Sequence, residues 1–314
     1  MTDLVIGVAA GLAAAFFSAI SYLVSRQHGL AQRALGRSGV AVRLLAVAHL
    51  LMAAVCGPLI WWGWPSPAPA WGSFVLPACG SAGCYLVGQA GLFAALKRAE
   101  ASRIAPLLGL KIVMLAGIVT AVMHHELDRR QWLAVGLSVV AAGLLQAGKG
   151  RVPAAAFGLV LAACLCFAIS DIWIVSLIDG LQAGVAATGG SLGRLHAGGL
   201  AMAVTYALCG LLFLPVVAAL WPHARADWMG SAAYAAAWLA AMAGLYCCFG
   251  LVGVVFGNIL QSTRGLMAVA LGAALARHGW HELEQRVDRA TLVRRLAAAL
   301  LMTAAIGIYV VDLW

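Results

Sequence analysis

"GLAAAFFSAIS" (residues 11–21) and "VLAACLCFAIS" (residues 160–170) read as one segment written twice, 149 residues apart. Six of the eleven positions are identical, including Leu-Ala-Ala near the start and Ala-Ile-Ser at the end. Alanine is abundant in this chain, so the shared Ala-Ile-Ser carries most of the signal. What such a repeat means depends on its surroundings. In a membrane chain, an odd number of crossings per unit makes the second unit enter from the opposite face.

The surroundings are apolar. The 314 residues are 64% hydrophobic and 10% charged, with a mean hydropathy of +0.97. Soluble domains carry about 25% charged residues, and no soluble core of this size absorbs so much apolar surface. The chain therefore reads as a polytopic membrane protein. Lipid leaves no partner for an open strand's backbone, so the spans are helices. Ten runs are long enough to cross about 30 Å of hydrocarbon, at roughly 4–25, 40–62, 72–96, 102–123, 131–148, 154–178, 197–221, 231–257, 263–277 and 291–313. The first has no Lys or Arg before it and is about twenty residues long, unlike the shorter apolar core and basic flank of a signal peptide, so it reads as a retained span. The polar gap at 26–39 holds three arginines and is expected on the membrane surface. The Gly-rich gap at 179–194 is expected to be a flexible linker or partly helical arm.

A second echo aligns 85–103 with 246–264, pairing Tyr85 with Tyr246 and Ser102-Arg103 with Thr263-Arg264. Together the echoes predict an all-α integral membrane fold, with ten transmembrane helices as two inverted five-helix repeats over residues 1–150 and 151–314. The inverted arrangement is common among secondary transporters.

Five plus five helices in about 300 residues resembles the EamA-type branch of the drug/metabolite transporter superfamily. "AALKRAEASRIAPLLGL" (94–110) is similar to that family's junction between spans three and four. "HHELDRRQWLAVGLSVVAAGLLQAG" (124–148) is similar to its closing Glu, Gln-Trp and Gly-rich fifth span. The second half keeps a Glu in "HELEQRVDRATLVRRLAAALLM" (281–302) without the Gln-Trp-Gly pattern. The family usually carries a proline in the middle of span four, where this chain has "LKIVM" (110–114). The resemblance implies transport by alternating access, with spans one, three, four, six, eight and nine lining a cavity.

Other functions are excluded or disfavoured by spacing. The net charge of +9 comes mostly from basic residues in short gaps, which fits topology and lipid-headgroup contacts rather than nucleic acid. The eight cysteines lie in apolar runs without a CxxC pair, and neither "HHEL" (124–127) nor "WHEL" (280–283) has the second His of a zincin, so no metal or other cofactor is expected. "GLLQAGKGR" (143–151) has the wrong spacing for a phosphate-binding loop. With ten spans, thirteen Lys and Arg residues fall in gaps on one side and four on the other, Arg129, Arg130, Arg194 and Arg264. The positive-inside rule then puts both termini outside the cytoplasm, whereas the resembled family usually has them inside.

Charges inside spans are few, and each marks a candidate site. Lys111 near the centre of span four reads either as a cavity cation for an anionic substrate group or as the partner of Asp171 in span six. Asp171 is a candidate proton-coupling site. It aligns with Tyr22, both following Ala-Ile-Ser. Tyr22, Tyr85, Gln89, Trp173, Tyr246 and Asn258 are candidate cavity residues, with packing as the competing reading for the aromatics. His49 is expected to be a satisfied interhelical histidine. Asn258, Gln261 and Arg264 flank span nine, which looks short, a pointer to a site region. Glu126 and Glu282 are read as span-end residues.

The expected function is secondary active transport of a small metabolite in a bacterial inner membrane, with an anionic substrate and proton coupling as the options that Lys111 and Asp171 raise. No enzyme activity is expected. The partners are the substrate and membrane lipids, with the oligomeric state left open. Three alternatives stay open: a lipid-linked or polyprenyl-phosphate flippase, a membrane-embedded lipid-modifying enzyme, and a non-transporting sensor or scaffold. An enzyme needs acid/base groups converging at one headgroup level, a transporter near the midplane.

Overall fold

The computed structural model describes residues 2–34, 39–96, 98, 105–122, 126–146, 153–219, 225–277 and 289–311. The segments at 102–103 and 280–283, with Glu282, lie outside them. The regular elements are α1 (Thr2–Ala34), α2 (Val40–Gly63), α3 (Trp71–Leu96), a 3-10 turn (Ala105–Gly109) leading into α4 (Leu110–Ala121), α5 (Arg129–Gln146), α6 (Ala154–Ala186), α7 (Arg194–Ala219), α8 (Arg225–Val252), α9 (Val254–Ser262), α10 (Arg264–Arg277) and α11 (Arg289–Val311). No strand occurs among the described residues. Among the described residues five helices are long and apolar enough to cross a membrane: α1 as far as Gly29, α2, α6, α7, and α8 from Asp227. Trp61, Trp62 and Trp71 stand exposed at the α2–α3 turn, as interfacial indoles do.

Three boundaries differ from the sequence expectation. Helix α1 runs on to Ala34, so the polar gap after residue 26 begins as its continuation rather than as a separate surface helix. Helix α6 runs through Asp179 to Ala186, because residues 179–186 keep helical geometry before the chain turns at Gly189 with φ 84°. Helix α8 ends at Val252, where Gly253 takes φ 81°, a conformation that favours glycine. The next helix therefore starts at Val254, and α9 passes into α10 across Thr263, whose amide bonds the Leu260 carbonyl at 3.1 Å. Span nine is not short: it begins nine residues before the expected residue 263.

The most extensive helix pairings are α3 with α6, α1 with α8, α2 with α7, and α5 with α11. Tyr206, Tyr246 and Phe249 anchor the largest core cluster, among α2, α3, α6, α7 and α8. A second cluster joins α4, α5, α9 and α11, where Phe256 stacks on Tyr309 at 4.9 Å. Gly7 of α1 packs at Val252 of α8, and nearby Gly250 packs at Ile178 of α6. The start of α1 thus shares a face with the end of α6, and the two helices run in opposite directions.

The closest crossings use glycine. Gly91 of α3 lies over the Leu159 carbonyl and Ala163 Cβ of α6, while Gly244 of α8 lies over the Ala10 carbonyl and Ala14 Cβ of α1. The first sequence echo, with its offset of 149, maps Ala10 and Ala14 onto Leu159 and Ala163. The two crossings are therefore equivalent, and α8 follows α3 at an offset of 244 − 91 = 153. Leu107 and Leu260 obey the same offset. Leu107 packs with Val160 and Cys164 of α6, and Leu260 packs on Gly11 of α1. The pairing of Tyr85 with Tyr246, at offset 161, is thus a mismatch of two helical turns: residue 85 plus 153 is Trp238.

Packing by small residues has a direct consequence. A methyl on Gly180 would overlap the Ser73 carbonyl, and one on Gly244 would stand 2.7 Å from the Ala10 carbonyl. Backbone cannot rotate away as a side chain can. Gly180→Ala and Gly244→Ala should each lower stability by about 1–3 kcal/mol, whereas Gly117→Ala, which meets nothing within 4 Å, should not. Thermal unfolding of the purified protein in one detergent checks the contrast.

Candidate functional site

Lys111 is the second residue of α4, directly after the 3-10 turn. This is a departure from the expectation of a residue deep within a regular helix. The tight turn aims its side chain along α6, where Lys111 Nζ lies 2.7 Å from Asp171 Oδ2. The side chains are only 12% and 8% exposed. Asn258 of α9 donates from Nδ2 to the same Asp171 oxygen at 2.7 Å and to the Val254 carbonyl at 2.9 Å. Asp171 therefore receives a cation from one helix and an amide from another. Removing a carboxylate from water costs several kcal/mol, and such contacts offset that cost.

A chain of neutral groups continues from this pair. Ser170 donates to the Ser81 carbonyl at 2.9 Å. The Ser81 hydroxyl lies 3.4 Å from that of Thr205 and 3.5 Å from that of Tyr246. Farther along α3, Tyr85 meets His49. The Leu45 carbonyl can only accept, so His49 Nδ1 donates to it at 2.8 Å, and His49 Nε2 accepts from the Tyr85 hydroxyl at 3.2 Å. His49 is fully buried and has both ring nitrogens satisfied between helices. Tyr85, Gln89 and Tyr246 are buried at 8%, 8% and 2% exposure, so each is packed among helices rather than facing an opening. Trp173 lies flat against Gly80, filling the space a side chain there would take.

The mirror position holds different chemistry. At offset 153, Lys111 maps onto Arg264, and at offset 149 Asp171 maps onto Tyr22. The Arg264 guanidinium carbon lies 5.9 Å from the centre of the Tyr22 ring. Local backbone agrees: Lys111 follows a 3-10 turn by one residue, and Arg264 follows the Thr263 hitch between α9 and α10. Lys111 and Arg264 each stand just past an irregular turn, against the residue that follows Ala-Ile-Ser. Lys111 meets a carboxylate there, and Arg264 meets a ring. Tyr22 also neighbours Trp238 at 6.3 Å, and Trp238 stacks on Tyr234 at 5.9 Å. Trp238 Nε1 donates to the Tyr206 hydroxyl at 2.9 Å.

The sequence reading placed Lys111, Asp171 and Asn258 on its site, and the structure brings these three together. It placed Tyr22 as a cavity residue and Arg264 in a site region at the start of span nine, without bringing the two together. The missed signal was the offset of the third and fourth helices, which the small-residue crossings reveal and the tyrosines obscured. Among the described residues there is no group of three His, Cys, Asp or Glu placed to hold a metal ion.

No protein-family model matches the sequence, and no curated protein matches it. One protein with a solved crystal structure is similar over 98% of this chain and 96% of its own, with a TM-score of 0.61 and 15% sequence identity. That likeness is one of fold alone.

The Lys111–Asp171 contact should behave as a coupled buried pair. Lys111→Met leaves the carboxylate with one amide partner and should cost about 3–5 kcal/mol. Lys111→Met/Asp171→Leu should cost far less than the two single changes added. Unfolding of all four proteins in one detergent measures the coupling, and additive losses would show that the two groups do not interact.

Proposed function

We propose that the chain is a secondary active transporter of a small metabolite. It crosses a bacterial inner membrane ten times as two inverted five-helix halves, residues 1–150 and 151–314, and works by alternating access. The observation that carries this reading is the mirrored placement of Lys111 and Arg264. Inverted repeats put their binding groups at helix irregularities around a shared axis, and both cations stand at such irregularities. The opposed directions of α1 and α6, and the matched crossings at Gly91 and Gly244, support the two-fold relation. An ion pair buried among apolar helices is costly to maintain for packing alone, and in membranes such groups mark ion and substrate paths.

On this reading Asp171 is the proton-coupling residue. Lys111 and Asn258 neutralise it while it is ionised, and protonation frees Lys111 from α6. The lipid-modifying enzyme fits less well, because the polar groups are spread along helices rather than gathered at one headgroup level, and the lipid-linked or polyprenyl-phosphate flippase is the second transport reading.

The test is uptake and counterflow in proteoliposomes with a panel of labelled metabolites. Wild-type uptake should rise with an imposed pH gradient. Asp171→Asn should keep counterflow but lose that rise, and Lys111→Met should slow both by at least about tenfold. Undiminished, gradient-driven uptake in both variants would remove the pair from the mechanism.

A further inference from the structure

The two halves differ at one chemically decisive place. Lys111 has its counter-anion inside the chain. Arg264, its mirror, has neither a carboxylate nor a hydrogen-bond acceptor among the described residues, and its contact is the face of Tyr22. We propose that Arg264 is an anion subsite, and that its occupant is a small organic carboxylate with a planar apolar body. This rests on the transport reading and names the substrate class of its central site.

Three observations carry the assignment. First, Arg264 stands in the middle of the α9–α10 run, and no carboxylate among the described residues pairs with it. A guanidinium is always protonated, and a ligand can supply the anion that the described residues do not. Second, the mirror site shows what fits. At Lys111 the anion is a carboxylate at 2.7 Å, projecting from the position that Tyr22 holds in the other half. Tyr22 brings no carboxylate, so a ligand's carboxylate can take that role, and a guanidinium fork binds one with two parallel bonds. Third, the walls are aromatic. Tyr22 has Trp238 on one side and Arg264 over its face, yet it is still 37% exposed. Part of the ring is therefore open beside the guanidinium, with the buried stacked pair of Trp238 and Tyr234 behind it. A flat apolar group can lie against that open part, next to the anion.

The geometry also separates the two cations by task. Lys111 is already satisfied by Asp171, so it does not meet the substrate first. Arg264 does, and the notion of Lys111 as the primary substrate cation gives way to a division of roles.

Binding can be read without transport. Purified full-length protein is titrated with sodium benzoate, following intrinsic tryptophan fluorescence and thermal protection. Benzamide serves as the neutral isostere, and inorganic phosphate and sodium chloride as other anions. Benzoate should bind and protect, and benzamide should not. Arg264→Gln should weaken benzoate binding by at least about tenfold, Arg264→Lys should recover part of it, and Tyr22→Leu should weaken it several-fold. The Arg264→Gln protein is first shown to elute and melt as a folded species, so that loss of binding is not loss of fold. Benzoate binding undiminished in folded Arg264→Gln overturns the subsite, as does failure of benzoate to bind wild type at all. Equal protection by phosphate or chloride overturns the carboxylate class. Uptake assays on the same proteins keep the two readings apart. Arg264-dependent binding without uptake of any carboxylate leaves the subsite standing and removes the transporter. Carboxylate uptake indifferent to Arg264→Gln does the reverse.

Discussion

A helix that crosses hydrocarbon has already satisfied its own backbone, and lipid tails are as apolar as leucine. Little except close contact then draws two such helices together. In this protein the contact is made by removing side chains. Gly91, Gly180 and Gly244 let α3 meet α6 and α8 meet α1 at backbone distance. Dispersion falls steeply with separation, so these crossings hold best in one register. That register fixes which residues of α4 and α10 come to lie against α6 and α1. The charges follow from the glycines. With a bulky residue at Gly244, α8 and α1 would part and Arg264 would lose its place over Tyr22.

Register also explains why the interior tolerates ions at all. Lys111 and Asp171 are brought to 2.7 Å by helices that pack for other reasons, so little of the cost of ordering two long side chains falls on the ion pair itself. Asn258 then occupies a second lone pair of the same carboxylate oxygen. The Ser170, Ser81, Thr205 and Tyr246 groups use the same economy, each hydroxyl finding a neighbour on a helix already held in place. Buried polar groups are expensive when half-satisfied. Among the described residues the orphaned side-chain atoms are few: Ser18 Oγ, Arg43 Nε, Thr120 Oγ1 and Ser231 Oγ.

Much of this was legible in the sequence, for reasons that differ by residue. The helical class follows from hydropathy, because lipid permits nothing else in a chain without barrel alternation. Lys111 and Asp171 were legible as partners because charges in a membrane seek each other. The first echo has a counterpart in the packing, since Ala10 and Ala14 stand against Gly244 as Leu159 and Ala163 stand against Gly91. The second echo failed because tyrosine is conspicuous and glycine is not. Tyr85 and Tyr246 caught the alignment, yet each serves a local bond, to His49 and to Ser81, that the repeat does not preserve. What the repeat preserves is the absence of a side chain at the crossing, and that has little weight in a chain with 36 glycines. The same error left Arg264, though read within a site region, unmatched to Lys111, because that match depends on an offset only the packed helices reveal.

The unequal answers of the two halves have an energetic meaning within the proposed transport cycle. Alternating access in an inverted repeat exchanges the geometries of its halves. Here α6 holds α4 through a salt bridge, while α1 holds α10 only through the face of a ring. Exchange would have to loosen the first and tighten the second, so the empty protein resists it by the difference between the two contacts. An anion on Arg264 gives the second half what the first half has by covalent structure, and the difference shrinks. A ligand moves an equilibrium only through its unequal affinity for the two states. A carboxylate on Arg264, together with a proton on Asp171, would act on both contacts at once, one strengthened and the other released. Neither ligand alone removes the full bias. In the proposed cycle, an asymmetric pair of cations within a symmetric frame would tie substrate movement to proton movement without any further site.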